Sequence, residues 1–499
     1  MTHVVVVGAG VGGLSAATHL ARRGLRVTVL ERASRPGGRL TRFVRDGHAF
    51  DVGPTLLVMP HLYASELAAL GSGFADLDAA RVDPTYDIAF DDGSRLDMTS
   101  DLVRLAEQLE RVEPGATGGL LRYLEEGRRH YDLGMPRLVE REFRTLGSFA
   151  RPSMAPLAVR LHVLARHHGH MRRFFASDRL RDAFTFQDLY MGLSPFRAPA
   201  TFSLMPYSEL AHGVWYPRGG MTRIVDVLVG AAEAAGVDLR LGEPVRRVVI
   251  EGGRSQGVEL EDGSVLAADA VLLNADATTA YRDLLPDRDL ADRLARRRHS
   301  GSAISFFWGL DRELPGLAPH TLVLGDAFRA HFDAIERNEP LPDLPSVYLH
   351  APSRLDPTAA PAGRDTLVAV VPTGHLARPG TPDADPAREA ETWRLATDRA
   401  RAAVLRRLAL LGHDDVEDHL VVEQTATPLS WRDRGLALGA THGLAHTLTQ
   451  LAYLRPHHRH ARYPNVFFAG ASTHPGTGVP TALVSGRLSA TRLADEARA

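Results

Sequence analysis

His3-Val4-Val5-Val6-Val7 runs directly into Gly8-Ala9-Gly10-Val11-Gly12-Gly13, and the reading of this stretch decides the fold. The β-branched run suits a strand buried on both faces of a parallel sheet. The glycines that follow spell G-x-G-x-x-G. Residues 14–23 then carry the small and apolar side chains of a helix, Gly24 stands where a C-cap belongs, and residues 26–30 form a second strand ending at Glu31. In such a unit Gly8, Gly10 and Gly13 permit a tight turn and a close backbone approach to a pyrophosphate at the helix N-terminus. Glu31, 18 residues beyond Gly13, is placed to accept ribose hydroxyls. An isolated glycine turn would say little. Strand, glycines, helix, cap, strand and acid in order within about 30 residues point to dinucleotide binding.

The rest of the chain bounds the function. At 499 residues it exceeds the roughly 150 typical of one domain, so two or more units are expected. With 44% apolar and 24% charged residues the composition is that of a globular protein, and a formal charge of -2 offers no basic field for nucleic acid. All 58 basic residues are arginine, and there is no cysteine. The absence of lysine removes Schiff-base and P-loop chemistry. The absence of cysteine removes disulfides, thiolate metal centres, iron–sulfur clusters and a cysteine-linked flavin. No run of about 18 apolar residues predicts a membrane span, so any membrane contact is expected to be peripheral. Residues 4–7 are already strand-like rather than a leader, and residues 495–499 carry no prenylation motif.

Directly after Glu31 comes Arg32, then Arg35-Pro36-Gly37-Gly38-Arg39. Gly37 and Gly38 let the chain turn close to a bound group, and Arg39 offers a charged fork. This segment resembles the continuation of the signature of two-dinucleotide-binding flavoproteins. That resemblance implies FAD.

Further along, the pattern is helical and mixed from Phe50-Asp51-Val52-Gly53-Pro54-Thr55 to about Arg144. Over residues 239–276 it becomes β-rich, with turns at Gly252-Gly253 and Asp262-Gly263 and a strand over residues 265–273 leading to Asn274. A meander returning to the first sheet makes the cofactor domain discontinuous. The expected division is cofactor-domain parts at 1–80, 216–295 and 456–499, a helical, membrane-contacting insertion at 81–215, and a substrate domain at 296–455.

The most specific stretch is Asn465-Val466-Phe467-Phe468-Ala469-Gly470-Ala471-Ser472-Thr473-His474-Pro475-Gly476-Thr477-Gly478-Val479-Pro480, with Ser485 as the small residue six places past Val479. It resembles the signature of the bacterial-type phytoene dehydrogenase (carotenoid desaturase) family without a departure. Tyr216-Pro217-Arg218-Gly219-Gly220, Tyr348-Leu349-His350-Ala351-Pro352 and the Arg455-Pro456-His457 segment agree with it, so the resemblance spans nearly the whole chain. It implies a Rossmann-like α/β FAD domain with an inserted α+β substrate domain. The implied cofactor set is Gly8, Gly10, Gly13, Glu31, Arg32, Gly38 and Arg39 from the first unit, then Pro54, Thr55, Val245 and Asn274. Gly470, Ala471, Gly478, Val479 and Pro480 complete it from the C-terminal turn.

The implied reaction removes two hydrogens from a long apolar polyene such as phytoene, with FAD carrying the chemistry and oxygen or a quinone as final acceptor. An apolar tunnel is expected in place of a charged cleft. The residue that takes the proton is not legible in the sequence; His474 is the candidate nearest the flavin by motif and Arg218 is placed to steady flavin or charge, each with a structural alternative as turn histidine and salt-bridged arginine. Leu157, Leu161, Leu164, Met171 and Phe175 at helical spacing, with Arg160, Arg166, Arg172 and Arg173, read either as an interfacial helix or as a lid, and the lipid-soluble substrate favours the first. The expected location is cytoplasmic, on the inner membrane. His167, His168 and His170, and His457, His458 and His460, read as basic segments without metal.

Three rivals keep the fold: an amine oxidase-like or carotenoid oxygenase/ketolase relative, a polyketide-polyene desaturase, and a non-catalytic prenyl-binding relative like the Rab escort proteins. Many amine oxidases use a lysine beside the flavin, which this chain lacks. The intact glycines, Glu31 and the C-terminal turn favour real FAD binding over the non-catalytic reading.

Overall fold

The computed structural model describes residues 1–498; Ala499 lies outside the described residues. His3–Val7 sits at the centre of a five-stranded parallel sheet, ordered Val466–Phe468, Ala270–Leu273, His3–Val7, Arg26–Glu31, Asp238–Leu241. Val4, Val5 and Val6 are wholly buried, the burial on both faces that their β-branched run predicts. The strands come from three distant parts of the chain. Helix Val11–Ala21 crosses over between the first two strands, and the C-terminal helix Val479–Arg498 packs on it so closely that a Cβ on Gly486 would lie 2.6 Å from the Gly12 carbonyl oxygen. Glycine at that crossing lets two helix backbones meet.

The helix begins at Val11 rather than Leu14, because Gly12 and Gly13 already form its first turn, and Gly24 (φ 83°) follows its cap. The β-rich stretch holds an antiparallel meander of Val245–Glu251, Arg254–Leu260 and Val265–Ala267. The single strand expected over 265–273 is two: the chain leaves the meander and enters the parallel sheet at Ala270–Leu273, where the Asp269 N–H donates to the His3 carbonyl (2.9 Å).

A second sheet of seven strands is ordered Leu420–Ala426, Ser302–Leu310, Thr366–Thr373, Val347–His350, His320–Leu324, Tyr86–Phe90, Arg95–Met98. It is antiparallel except where His320–Leu324 runs alongside Tyr86–Phe90. The expectation of a helical stretch over 81–215 therefore omits two strands. Ile88 and Phe90 are too well buried beneath neighbouring helices for their short alternation to have announced a sheet edge.

Between these strands and Leu204–His212 lies a helical layer that includes Ala116–Gly134 and Met154–Arg160. The single amphipathic helix read through Leu157, Leu161, Leu164, Met171 and Phe175 does not form. Helix Met154–Arg160 ends in a turn where Val163 N–H reaches the Ala158 carbonyl (3.2 Å) and His162 takes a left-handed conformation (φ 48°). Leu157, Leu161, Met171 and Phe175 turn inward and are buried, while Leu164 is 84% exposed.

The histidine segments also differ from their expected character. They are buried acceptors and donors, not solvated basic runs: His167 pairs with Asp188 (2.9 Å), His168 with Asp182 (2.9 Å), and His170 with Glu126 (2.5 Å). His460 lies 3.5 Å from the Asp287 carboxylate, and His458 bonds the His474 carbonyl (2.8 Å). The carboxylate partners of the first segment lie 14, 21 and 44 positions away, on separate elements, so spacing alone did not reveal them.

Candidate active site

The glycine loop forms one side of the site. Gly8 holds φ 102° and its N–H donates to the Leu30 carbonyl (2.7 Å). A Cβ on Gly13 would lie 2.1 Å from the Gly8 carbonyl oxygen, and one on Gly10 would lie 2.8 Å from Asn274 Nδ2. Gly10 caps the helix without any side-chain acceptor, leaving the N–H groups of the first turn directed outward, as an anion site needs. Glu31, buried at the end of the second strand, accepts the N–H groups of Ala9 (2.8 Å) and Ala33 (2.9 Å). These bonds hold its carboxylate beside the loop, with lone pairs left over for hydroxyl donors.

Asn274 ties this loop to the C-terminal turn. Its Nδ2 donates to the Gly8 carbonyl (3.3 Å), and a Cβ on Gly470 (φ 98°) would lie 2.5 Å from its Oδ1. The Gly470 N–H donates to Ser485 Oγ (3.0 Å), which also bonds Thr473 Oγ1 (2.9 Å), so the small residue of the motif secures the turn from the following helix. Arg455, fully buried, donates to the carbonyls of Thr473 (3.1 Å) and Ala471 (2.8 Å); burial lowers its pKa to about 9 against the opposing pull of Asp276. Ser472 Oγ donates to Asp276 (2.7 Å). The sequence did not single out Arg455 for this task, nor Asp276, whose partner Ser472 comes from 196 positions further along the chain.

These groups open onto a cavity of about 930 Å³, large for a small-molecule site. Gly10, Gly38, Arg39, Asn274, Gly470 and Ala471 line it at one side, as do Pro54, Thr55, Gly478, Val479 and Pro480. Leu138, Leu157, Leu161 and Leu189 from the helical layer and Phe307, Leu322, Val368 and Val370 from the seven-stranded sheet form its apolar walls. Arg39 is held by the Thr441 carbonyl (2.9 Å). A polar seam runs from the wall inward: Thr55 Oγ1 bonds the Tyr348 hydroxyl (2.7 Å), which also meets the buried His320 Nδ1 (2.8 Å). Tyr190, also in the wall, bonds Tyr86, whose hydroxyl donates to Glu209 (2.9 Å). Burial pushes the Glu209 carboxyl up to about 7.

Arg218, Arg32 and Val245 do not line the cavity. Arg218 is exposed, 73% in its side chain, and pairs across 3.5 Å with the exposed Asp78. Its loop turns the guanidinium to solvent, away from the cavity lining, while Met221 N–H (2.9 Å) and Tyr216 hydroxyl (2.8 Å) bind Asp51 behind it. Arg32 is exposed and donates to the Arg434 carbonyl, away from the cavity. Val245 begins the meander and packs on the cluster containing Leu30, next to Glu243, whose N–H binds the Glu31 carbonyl (2.9 Å). His474 does line the cavity, but its ring is 6% exposed and Nε2–H donates to the Arg141 carbonyl (2.8 Å). Burial, reinforced by His458, lowers its pKa to about 3, so the ring is neutral and a weak base at physiological pH.

Residues 11–494 match the family described as flavin containing amine oxidoreductase. The chain belongs to that family. It is 39% identical to the zeta-carotene-forming phytoene desaturase of Myxococcus xanthus, over 98% of this chain and 93% of that protein. It is 38% identical to the phytoene desaturase of Neurospora crassa (99% and 84%) and 36% identical to the phytoene dehydrogenase of Streptomyces griseus (98% and 95%). Among solved structures it resembles a triple mutant of putrescine oxidase (TM-score 0.66, 19% identity, 99% of both chains) and a fatty acid isomerase from P. acnes (TM-score 0.59, 15% identity, 98% of both chains). The protein is an FAD-dependent oxidoreductase. The close-packed glycine cradle and the uncapped helix N-terminus fit that cofactor.

Burial sets the pH dependence of the fold. His474 is lowered to about 3, and His299, His331, His350 and His442 each to about 4, from an ordinary 6.5. These rings stay neutral when folded, whereas the unfolded chain takes up protons below 6.5. Stability is full above that value and is lost as pH falls toward the folded values. Glu209, raised to about 7, acts oppositely, as do Asp51, Asp182 and Asp188, raised by burial, but the lowered histidines outnumber these acids. The melting temperature of the FAD-loaded protein should fall by several degrees between about pH 7 and about pH 5; a flat or rising profile by calorimetry would contradict this.

Proposed function

We propose that this oxidoreductase is a desaturase of a long apolar polyene, phytoene or another early carotenoid, and that oxygen or a quinone is the final electron acceptor. The observation that carries this reading is the apolar cavity that joins the glycine cradle to the walls of both the helical layer and the seven-stranded sheet. The full-length relatives named phytoene desaturase and phytoene dehydrogenase support the same substrate class. The missing lysine continues to weigh against amine oxidation.

Bound FAD supplies the hydride acceptor. The protein's part is to hold a hydrocarbon in register, exclude water and take the second hydrogen as a proton. Leu157, Leu161, Phe307 and Val368 offer only dispersion and burial, so the chain is positioned by shape. One substrate C–H bond gives its pair to the new double bond and its proton to the Tyr190 oxygen. The Tyr190 proton passes to Tyr86, and that of Tyr86 to Glu209 Oε1. Glu209, anchored also by Gln187 (3.1 Å), holds the proton at a pKa near the working pH.

The substrate is lipid-borne, and the segment that walls the cavity supports peripheral docking on the cytoplasmic face of the inner membrane. Leu146 (57% exposed), Val159 (73%) and Leu164 (84%) point outward from the stretch whose Phe149, Leu157 and Leu161 line the cavity, with Arg151, Arg160 and Arg166 interspersed. Among the described residues no helix is long and apolar enough to cross a membrane.

Anaerobic mixing of the holoprotein with phytoene-bearing liposomes should bleach the flavin band and produce longer conjugated absorption. Flavin that phytoene never reduces would sink this substrate assignment. Glu209→Gln should lower the rate about 100-fold and remove an inflection near pH 7 from the rate profile, while melting stays cooperative; an unchanged profile would remove Glu209 from the proton path. Val159→Glu with Leu164→Glu should weaken binding to anionic vesicles at least tenfold, about 1.4 kcal/mol, without altering flavin content. Equal vesicle binding would rule out this rim.

A further inference from the structure

Outside the cavity, one group of side chains converges without a role in the reading above. On helix Ala116–Gly134, Glu126 and His130 stand one turn apart on the same face. The left-handed turn after Met154–Arg160 brings His162 against them, with its Nε2 3.6 Å from Glu126 Oε2. One ligand atom from each of Glu126, His130 and His162 lies within 4.8 Å of the others. His170 is a fourth member: its Nε2 lies 2.5 Å from Glu126 Oε1 and its ring 4.7 Å from that of His162.

We propose that Glu126, His130 and His162 form a binding site for a divalent transition ion of the zinc class, with His170 as fourth ligand or as the hydrogen-bond donor that orients the carboxylate. The donor set is imidazole and carboxylate, which suits zinc, whereas calcium and magnesium require oxygen throughout. Bond lengths of about 2.0–2.2 Å ask the donors to close in by roughly 1 Å, a rotamer-scale adjustment. The His130 ring already has the outer partners that fix a ligand's orientation, Ser203 Oγ at Nδ1 (2.7 Å) and the Arg160 carbonyl at Nε2 (3.1 Å). Coordination exchanges one of these contacts for the ion. Access runs past His162, whose side chain is 31% exposed, while those of His130 and Glu126 are buried. Arg173, 3.8 Å from Glu126 Oε2 and 58% exposed, is the competing cation and is free to swing into solvent.

The location gives the site a consequence. His162 directly follows the segment whose Leu157, Ala158 and Leu161 wall the cavity and lies between the outward-facing Val159 and Leu164. An ion shared between this turn and the long helix pins that wall. The site rests on geometry independent of the substrate assignment.

The test uses untagged, FAD-loaded, full-length protein stripped with a chelator and titrated with zinc chloride alone. Calorimetry and elemental analysis should find one zinc retained per chain, and X-ray absorption should show a nitrogen/oxygen shell near 2.0–2.1 Å with imidazole outer scattering. His162→Ala and Glu126→Gln should each weaken binding at least tenfold, while His61→Ala, an exposed histidine elsewhere, should not. Should Glu126→Gln fail to fold because Glu126 is buried, the partly exposed His162→Ala still decides. No retained zinc, or equal retention by His162→Ala, overturns the proposal.

Discussion

Everything in this protein hangs on the approach of three backbones around Asn274. The glycine loop at residues 8–13, the strand end carrying Asn274 and the turn at Gly470 come so close that a methyl group on Gly10, Gly12 or Gly470 would overlap the amide of Asn274. Such packing brings unsatisfied N–H groups, a buried carboxylate and a glycine-rich turn into one small volume. No single segment can build it, because residues 274 and 470 lie hundreds of positions beyond the loop. The parallel sheet solves the problem by setting Ala270–Leu273 beside His3–Val7 and Val466–Phe468 beside that.

Once that sheet closes, the remaining chain is obliged to leave and return. The excursions between its strands become the seven-stranded sheet and the helical layer, and the cavity walls from both meet the cradle. Burial is then used twice with opposite effect. In the cradle, polar groups are satisfied by backbone donors and carbonyls, as Glu31 and Arg455 show. In the cavity the walls are mostly apolar, with the polar groups Thr55, Tyr348 and Tyr190 among them and Tyr86 and Glu209 behind. A hydrocarbon pocket that must also dispose of a proton needs both properties, and the hydroxyl of Tyr190 is where they touch.

The helical layer shows how burial can mislead a reader of periodicity. A stripe of five apolar residues between Leu157 and Phe175 has the spacing of one helix, yet the backbone breaks at His162 and sends most of the stripe inward from separate short elements. Periodicity reports that side chains share a side, not that the chain between them is continuous. The same break exposes Val159 and Leu164 and sets His162 against Glu126.

The sequence by itself determined the nucleotide-binding unit and the turn that completes it, because those features are local: consecutive residues must satisfy a strand, a tight glycine turn and a helix N-terminus, and only a narrow set of residue types does so. Gly8, Gly10, Gly13, Glu31, Gly470 and Ser485 were legible for that reason. Tertiary structure alone decided which polar side chains matter beyond the motifs. It turned Arg218 to solvent, made His474 a neutral ring held by Arg141, and placed Arg455, Asp276 and Glu209 at their posts. Their roles depend on burial and on partners tens to hundreds of residues away, and a hydrogen bond or a desolvated charge leaves no periodic trace along the chain.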